Sequence, residues 1–249
     1  MTRGQVYVSL APFRRAFAAG LPILMYHKVA RPRRDSIARG LYVTPALFRR
    51  QMQELRRAGY ASASLTGAPV SSSPNQIVIT FDDGFANVLD NALEALREAG
   101  FRAIQFLVAD RLGRRNDWDA ARGDRAEPLM DAAQVRDWLA AGNEIGSHTL
   151  SHPRLSQLSR DDARREIADS RKKLQDLFGV GVDHFCYPFG DFNSEVRDLV
   201  MAAGYATACG TEPGVNTRAT DRFALKRHLA GHRRPGLHAW LPFLPAGWF

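Results

Sequence analysis

Gln76-Ile77-Val78-Ile79-Thr80-Phe81-Asp82-Asp83-Gly84 is the stretch that decides the reading of this chain. The run from Gln76 to Phe81, apolar and β-branched and bounded by Pro74 and Gly84, has the composition of a buried strand with two aspartates at its C-terminal end. Neighbouring residues of an extended chain point to opposite sides. One carboxylate can therefore face a bound cation while the other faces a water molecule.

Downstream, Asn143 to Ser147 forms a short segment leading into His148-Thr149-Leu150-Ser151-His152, and Pro153 biases His152 away from helical geometry. The glutamate of an HExxH helix is absent, so the expectation is a tight turn after a strand, with both rings converging. Asp83, His148 and His152 make a mixed carboxylate and imidazole set of the kind that holds a borderline divalent ion and leaves it an open position. Asp82 is then a spare carboxylate, free to move protons. Taken singly, an aspartate pair also suits a solvated turn, and paired histidines also suit a surface. Both strings at strand ends of one chain point to a hydrolytic enzyme.

The rest of the chain alternates apolar extended segments with helical patterns, which predicts βα units and a mainly parallel sheet. Thr44-Pro45 has the form of an N-cap followed by proline in the first turn, and Leu47, Phe48, Gln51, Met52 and Leu55 trace one largely apolar face. Ser159 and Asp162 open a second helix with Ile167, Leu174, Leu177 and Phe178 as its expected core stripe. Gly59, Gly100, Gly142 and Gly204 each follow an alanine where a helix is expected to stop. At 249 residues and 45% hydrophobic, the chain suits one α/β domain. Leu24–Tyr26, Ile77–Phe81, Glu144–Ser147 and Val182–Tyr187 all end beside a candidate site group, as expected of a barrel whose active site lies at the strand C-termini. Asp110 to Pro128 lacks periodicity and reads as a long loop between a strand ending near Val108 and a helix starting near Asp131. Trp118 in it is a candidate for walling a substrate cleft, with a solvated insertion as the alternative.

The strings TFDDG at 80–84, EIGSHTLSHPRL at 144–155 and FCYPFG at 185–190 resemble the first three motifs of the polysaccharide deacetylase family, the NodB-homology or family 4 carbohydrate esterases. The resemblance runs from about Leu21 to Arg227. It implies a distorted (β/α) barrel in a single domain, with a divalent metal on Asp83, His148 and His152 and with Asp82 as the base. Zinc is the first choice of ion, with cobalt, nickel or manganese as alternatives. Tyr187, Pro188, Phe189 and Gly190 would form the oxyanion and substrate loop, the Phe189 N–H serving as donor. The activity implied is hydrolysis of the acetamide of an N-acetylated sugar, whether polysaccharide, oligosaccharide or lipid-linked glycan. A hydrolase of a non-sugar amide or cyclic imide on the same fold, and a carbohydrate-binding protein that has lost turnover, are the alternatives.

LMYHKV at 24–29 is similar to the start of the poly-N-acetylglucosamine deacetylase branch, which makes His27 the candidate catalytic acid. A strand-end histidine bonded to backbone is the plainer reading, and His228 is the fallback acid. Two departures from the family pattern stand out. Cys186 occupies the place where many relatives have an arginine that orients the base, and no clear fourth motif lies between Thr211 and Thr220. The groups that orient Asp82 and the acid histidine are thus unassigned from sequence.

Thirty-four basic against 26 acidic residues leave a formal charge of +8. Arginines cluster at Arg31, Arg33 and Arg34, at Arg114 and Arg115, and at Arg233 and Arg234. Such an excess favours anionic surroundings such as acidic polysaccharide or lipid phosphate. No nucleic-acid-binding signature accompanies it, so nucleic acid is not an expected partner. Residues 1–20 contain neither a signal-peptide core nor a membrane-spanning run, and a cytoplasmic location is expected. Cys186 and Cys209 read as buried free thiols. The expected organisation is an N-terminal extension at 1–20, a catalytic domain at 21–235 and an apolar, aromatic tail at 236–249. In that tail Trp240, Trp248 and their apolar neighbours suit either peripheral contact with the inner membrane face or packing over the barrel.

Overall fold

Eleven strands follow in chain order in the computed structural model, which describes residues 6–33, 35–67, 75–120 and 123–231. They are β1 (Leu21–Tyr26), β2 (Lys28–Val29), β3 (Tyr42–Val43), β4 (Ala61–Ser62), β5 (Gln76–Phe81), β6 (Ile104–Leu107), β7 (Glu144–Ser147), β8 (His184–Cys186), β9 (Thr207–Cys209), β10 (Val215–Asn216) and β11 (His228–Leu229). The helices are α1 (Arg14–Phe17), α2 (Pro45–Arg57), α3 (Ala86–Ala99), α4 (Ala132–Ala140), α5 (Arg160–Phe178) and α6 (Ser194–Ala202). Pro74, Arg34, Arg233, Arg234 and the tail at 236–249 lie outside the described residues.

The main sheet runs β10-β1-β5-β6-β7-β8-β9, parallel from β1 to β9, with β10 antiparallel to β1. It curls into an open barrel, and the segment from Leu225 to Leu229 crosses the gap. Leu225 bridges Cys209 at one side, while β11 pairs with Leu24 and Met25 of β1 at the other. The single body is the distorted α/β barrel expected from the sequence.

Side chains alternate across these strands with period two. Leu24, Tyr26, Ile77, Ile79 and Phe81 join the large core shared with the helices. Leu21, Ile23, Val78, Phe106, Cys186, Cys209 and Leu225 pack on the opposite, inner face. By the same parity His27, Asp82 and Arg227 continue the inner rows of their segments beyond Ile23, Val78 and Leu225.

The helices begin and end where local chemistry dictates. Thr44 accepts from the Leu47 N–H, Pro45 occupies the first turn, and α2 buries Leu47, Phe48, Gln51, Met52 and Leu55. Asp131 and Gln134 form a reciprocal capping box on α4. Ser159 caps α5, which buries Ile167 and Leu174. Leu177 is 40% exposed, contrary to the expected stripe. At 100° per residue it lies about 80° around the helix from Ile167, whereas Phe178 lies only about 20° away. The four glycines after helical alanines all adopt positive φ.

Residues at the described start of the chain are built into this body. Tyr7, Leu10, Phe13 and Phe17 are buried, and the Tyr7 N–H donates to the Leu229 carbonyl at 2.8 Å. Among the described residues no helix is long and apolar enough to cross a membrane.

Candidate active site

Asp82 and Asp83 leave β5 in different directions because the backbone turns between them. The parity of the strand carries Asp82 inward, and Asp83 then adopts φ 74°, a left-handed conformation unfavourable for a residue with a Cβ. Thr149 and His152 also have φ 69°. Such outliers cost about 1–3 kcal/mol each and persist only where the surroundings hold them. Here the hold is visible. The Thr149 hydroxyl accepts from the His152 N–H at 2.9 Å, and Glu166 on α5 accepts from the N–H groups of Leu150 and Ser151 at 2.8 and 2.9 Å. Glu166 was not singled out in the sequence, because nothing local links it to a turn fifteen residues away.

The turn brings His148 Nε2 and His152 Nε2 each to 3.3 Å from Asp83 Oδ1, all three side chains being buried. An ion with bonds of about 2.0–2.1 Å at tetrahedral angles separates its donor atoms by roughly the same distance, so the residues fit a divalent cation. His148 Nδ1 lies 2.7 Å from the Cys186 carbonyl, which can only accept, so Nδ1 carries the proton and the Nε2 lone pair faces the site. Burial pushes the His152 ring down to about 4, leaving it neutral and able to donate a lone pair near neutral pH. Burial opposes the negative charge on Asp83, but the two imidazoles beside it outweigh burial and hold the carboxyl well below its usual range. His152 stacks on Trp118 at 4.3 Å and meets Phe189 edge-on at 4.6 Å, and its buried Nδ1 has no hydrogen-bond partner among the described residues.

Asp82 has the partner that the sequence left unassigned. Arg227, fully buried on the closing segment, donates from Nη1 to Oδ1 and from Nη2 to Oδ2, both at 2.7 Å. Its other contacts reach the Gly210 carbonyl at 2.8 Å, the Thr80 hydroxyl at 3.0 Å and Cys186 Sγ at 3.1 Å. All the N–H donors of the guanidinium are thereby used. Burial acts to raise the Asp82 pKa, and Arg227 more than offsets it, so the carboxyl falls below its ordinary value. Asp82, His148 and Cys186 also come close enough to suggest a second donor set, but the guanidinium already binds both Asp82 oxygens and the sulfur. A sequence signal existed: Arg227 stands two residues after Leu225 and shares its inner face.

His27 is buried with Nε2 3.9 Å from Asp82 Oδ2, and burial lowers its pKa. Its Nδ1 has no partner among the described residues. His228 does not reach this site. It has the opposite parity to Arg227, and its ring packs against Phe13 at 5.2 Å and Phe17 at 5.4 Å.

The loop after β8 completes the rim. Pro188 to Gly190 forms a single 3-10 turn with Phe189 at φ 60°, and a Cβ at Gly190 would collide with the Thr211 side chain. Tyr187 points away from the rim; its hydroxyl donates to the Phe223 carbonyl at 3.0 Å and its ring stacks on Phe192 at 4.2 Å. The Trp118 loop is tied down from the far side of β1. Buried Lys28 pairs with Glu127 at 3.0 Å, and Asp124 accepts from the Ile37 and Ala38 N–H groups at 3.0 and 3.2 Å.

Residues 70–208 match the sequence model of the polysaccharide deacetylase family. A Bacillus subtilis protein assigned to polysaccharide deacetylases is 28% identical over 215 residues, covering 84% of this chain and 71% of its own length. The chitooligosaccharide deacetylase of Azorhizobium caulinodans is 27% identical over 139 residues, covering 55% of this chain and 59% of that protein. In a solved structure, a Bacillus anthracis protein assigned to the same family aligns with a TM-score of 0.73 and 25% identity over 86% of this chain and 66% of the other. A Streptococcus pyogenes deacetylase in complex with acetate shares the fold, with a TM-score of 0.73 and 23% identity over 85% of this chain and 92% of the other. With more than half of its length matched, and with the fold of these solved structures, the chain belongs to the polysaccharide deacetylase family, the NodB-type carbohydrate esterases, hydrolases that release acetyl groups from N-acetylated sugars.

Proposed function

We propose that this protein hydrolyses the acetamide of an N-acetylated sugar to the amine and acetate with the help of one divalent metal ion. The observation that carries this reading is the convergence of Asp83, His148 and His152 beside a second carboxylate, Asp82, which Arg227 fixes in place. The donor set suits zinc first, and also cobalt, nickel or manganese. A cation held there would polarise the acetamide carbonyl and acidify water.

The chain's own groups account for the proton traffic. Asp82, ionised because Arg227 favours its charged form, accepts a proton as water adds to the carbonyl carbon. The backbone N–H of Phe189 donates to the oxyanion that develops on the former carbonyl oxygen. His27, neutral at the outset because of burial, receives that proton from Asp82, 3.9 Å away, and passes it to the departing nitrogen as the C–N bond breaks. Trp118 shields one face of His152 and forms part of the wall that a sugar ring would meet. Support comes from the positions of Asp82, Asp83 and His148 just after β5 and β7 and from similarity to a chitooligosaccharide deacetylase. The proposal that the sugar is lipid-linked and met at the inner membrane face rests on the sequence of residues 236–249 alone.

The test is acetate release by metal-reconstituted protein over N-acetylhexosamine oligomers, nucleotide sugars and polyprenyl-linked sugars. Metal-dependent acetate release from at least one of them is expected. Ring opening of a cyclic imide without acetate release from any sugar, or sugar binding with no release, would overturn the reading.

A further inference from the structure

Arg154 follows the His148–His152 turn and belongs to none of the machinery above. Its guanidinium lies 4.5 Å over the ring of Phe189, the same ring that meets His152 edge-on at 4.6 Å. One aromatic side chain thus separates this cation from the metal ligands. The side chain is half-buried, and among the described residues it has no hydrogen-bond or ion-pair partner. The acid on the neighbouring loop, Asp191, is engaged elsewhere: its two oxygens accept from the Ser156 N–H at 2.9 Å and the Ser156 hydroxyl at 2.8 Å.

Arg227 shows what a guanidinium committed to groups of the protein itself looks like, with every donor bonded. Arg154 is the reverse. The contact with the Phe189 ring is a cation–π one, which holds the guanidinium without spending its N–H donors. A partly dehydrated cation without a partner is unfavourable unless something supplies one. Its fork matches a carboxylate or a phosphate, which accept paired hydrogen bonds from arginine. A second guanidinium borders the same turn. Arg111 follows Asp110, whose N–H donates to the Leu150 carbonyl at 2.9 Å; its Nη2 pairs with Asp117 at 3.2 Å, while its buried Nε has no partner among the described residues. The chain's formal charge of +8 favours an anionic ligand in the same sense.

We infer that Arg154, held over the Phe189 ring, forms an oxyanion subsite beside the acetamide site, and that the preferred substrate is an N-acetyl sugar carrying a carboxylate or phosphate. This rests on the deacetylase reading for the identity of the neighbouring site. It goes beyond that reading in naming the charge of the substrate and the residue that selects it.

Two readouts separate the subsite from the chemistry. Calorimetric binding and acetate release are measured for neutral N-acetylglucosamine, for N-acetylmuramic acid as the carboxylate probe and for N-acetylglucosamine 1-phosphate as the phosphate probe. At least one anionic sugar should bind on the order of tenfold more tightly than the neutral one, the size expected of a charge-assisted hydrogen-bond pair. Arg154→Gln should collapse that ratio, and Arg154→Lys should restore only part of it, with metal content and circular dichroism confirming the fold of both variants. The arm that shows the preference tells carboxylate from phosphate. Equal binding of all three sugars, or a preference that survives Arg154→Gln, overturns the subsite even if acetate is released. An anionic preference lost in Arg154→Gln without any acetate release supports the subsite and overturns the hydrolytic reading instead.

Discussion

Arg227 and Asp82, 145 positions apart in the chain, are joined by two parallel hydrogen bonds of 2.7 Å in a site closed to solvent. The pair locks the closing segment to the end of β5, so one contact both seals the barrel and fixes the direction of the Asp82 carboxylate, the proposed base. Arg227→Ala should therefore damage stability and turnover together. Leaving a buried carboxylate without its partner costs about 3–5 kcal/mol. Arg227→Lys keeps a charge but loses the fork, and should fold better than the alanine variant while remaining well below wild type in kcat. Urea unfolding and acetate release measure the two effects; wild-type turnover in a folded Arg227→Lys protein would show that the fork does not position Asp82.

Asp82→Asn should retain the metal and lose turnover by roughly 10²–10⁴-fold, since it removes the proton acceptor and spares Asp83, His148 and His152. Metal analysis of the purified variant decides the assignment. Loss of metal would mean that the two aspartates have exchanged roles.

His148→Ala should abolish metal binding and activity together, and a chelator should do the same to the wild-type protein. Zinc, cobalt, nickel or manganese added back should restore the chelated wild type but not the variant. A variant that still holds the ion tightly would remove His148 from the donor set.

His27→Ala should lower kcat strongly with metal content unchanged, because the group beside Asp82 at 3.9 Å is the one assigned to protonate the leaving nitrogen. An unaltered rate would assign that role to another group. His228 is not the replacement, since its ring lies between Phe13 and Phe17.

Asp124 gives a pH dependence away from the metal site. Burial acts to raise its pKa, but the N–H groups of Ile37, Ala38 and Arg125 outweigh burial, so the folded value lies below the ordinary 3.8. A depressed carboxyl contributes stability that is complete above its unfolded pKa and is lost as pH falls through the folded one. Hydrogen exchange at Ile37 and Ala38 should stay slow at neutral pH and accelerate only below about pH 4. Asp124→Asn should expose both amides at all pH values; protection unchanged by that substitution would show that the carboxylate does not hold the loop.

Local features of this protein were legible because their physics is local. The N-caps at Thr44 and Ser159, the glycine stops and the strand ending in Asp82-Asp83 each depend on neighbours a few positions away, and each stands where the spacing indicated. Leu177 departed from its stripe because spacing identifies a helix more securely than it identifies the edge of the buried arc. The two candidate acid histidines differ by parity: His27 continues the inner row of Leu21 and Ile23, whereas His228 alternates away from Leu225 and Arg227. That distinction appears once the inner and outer faces of the strands are known.

The amino-acid sequence alone determined the elements, the candidate metal-ligand set and the second carboxylate beside it, since hydrophobic periodicity, capping chemistry and donor types are written in short stretches of chain. Only the tertiary structure decided what holds Asp82, what pins the histidine turn and which arginine beside the rim has no hydrogen-bond or ion-pair partner among the described residues. Arg227, Glu166 and Arg154 acquire those roles from sheet curvature and chain closure, which bring together groups that no local spacing relates.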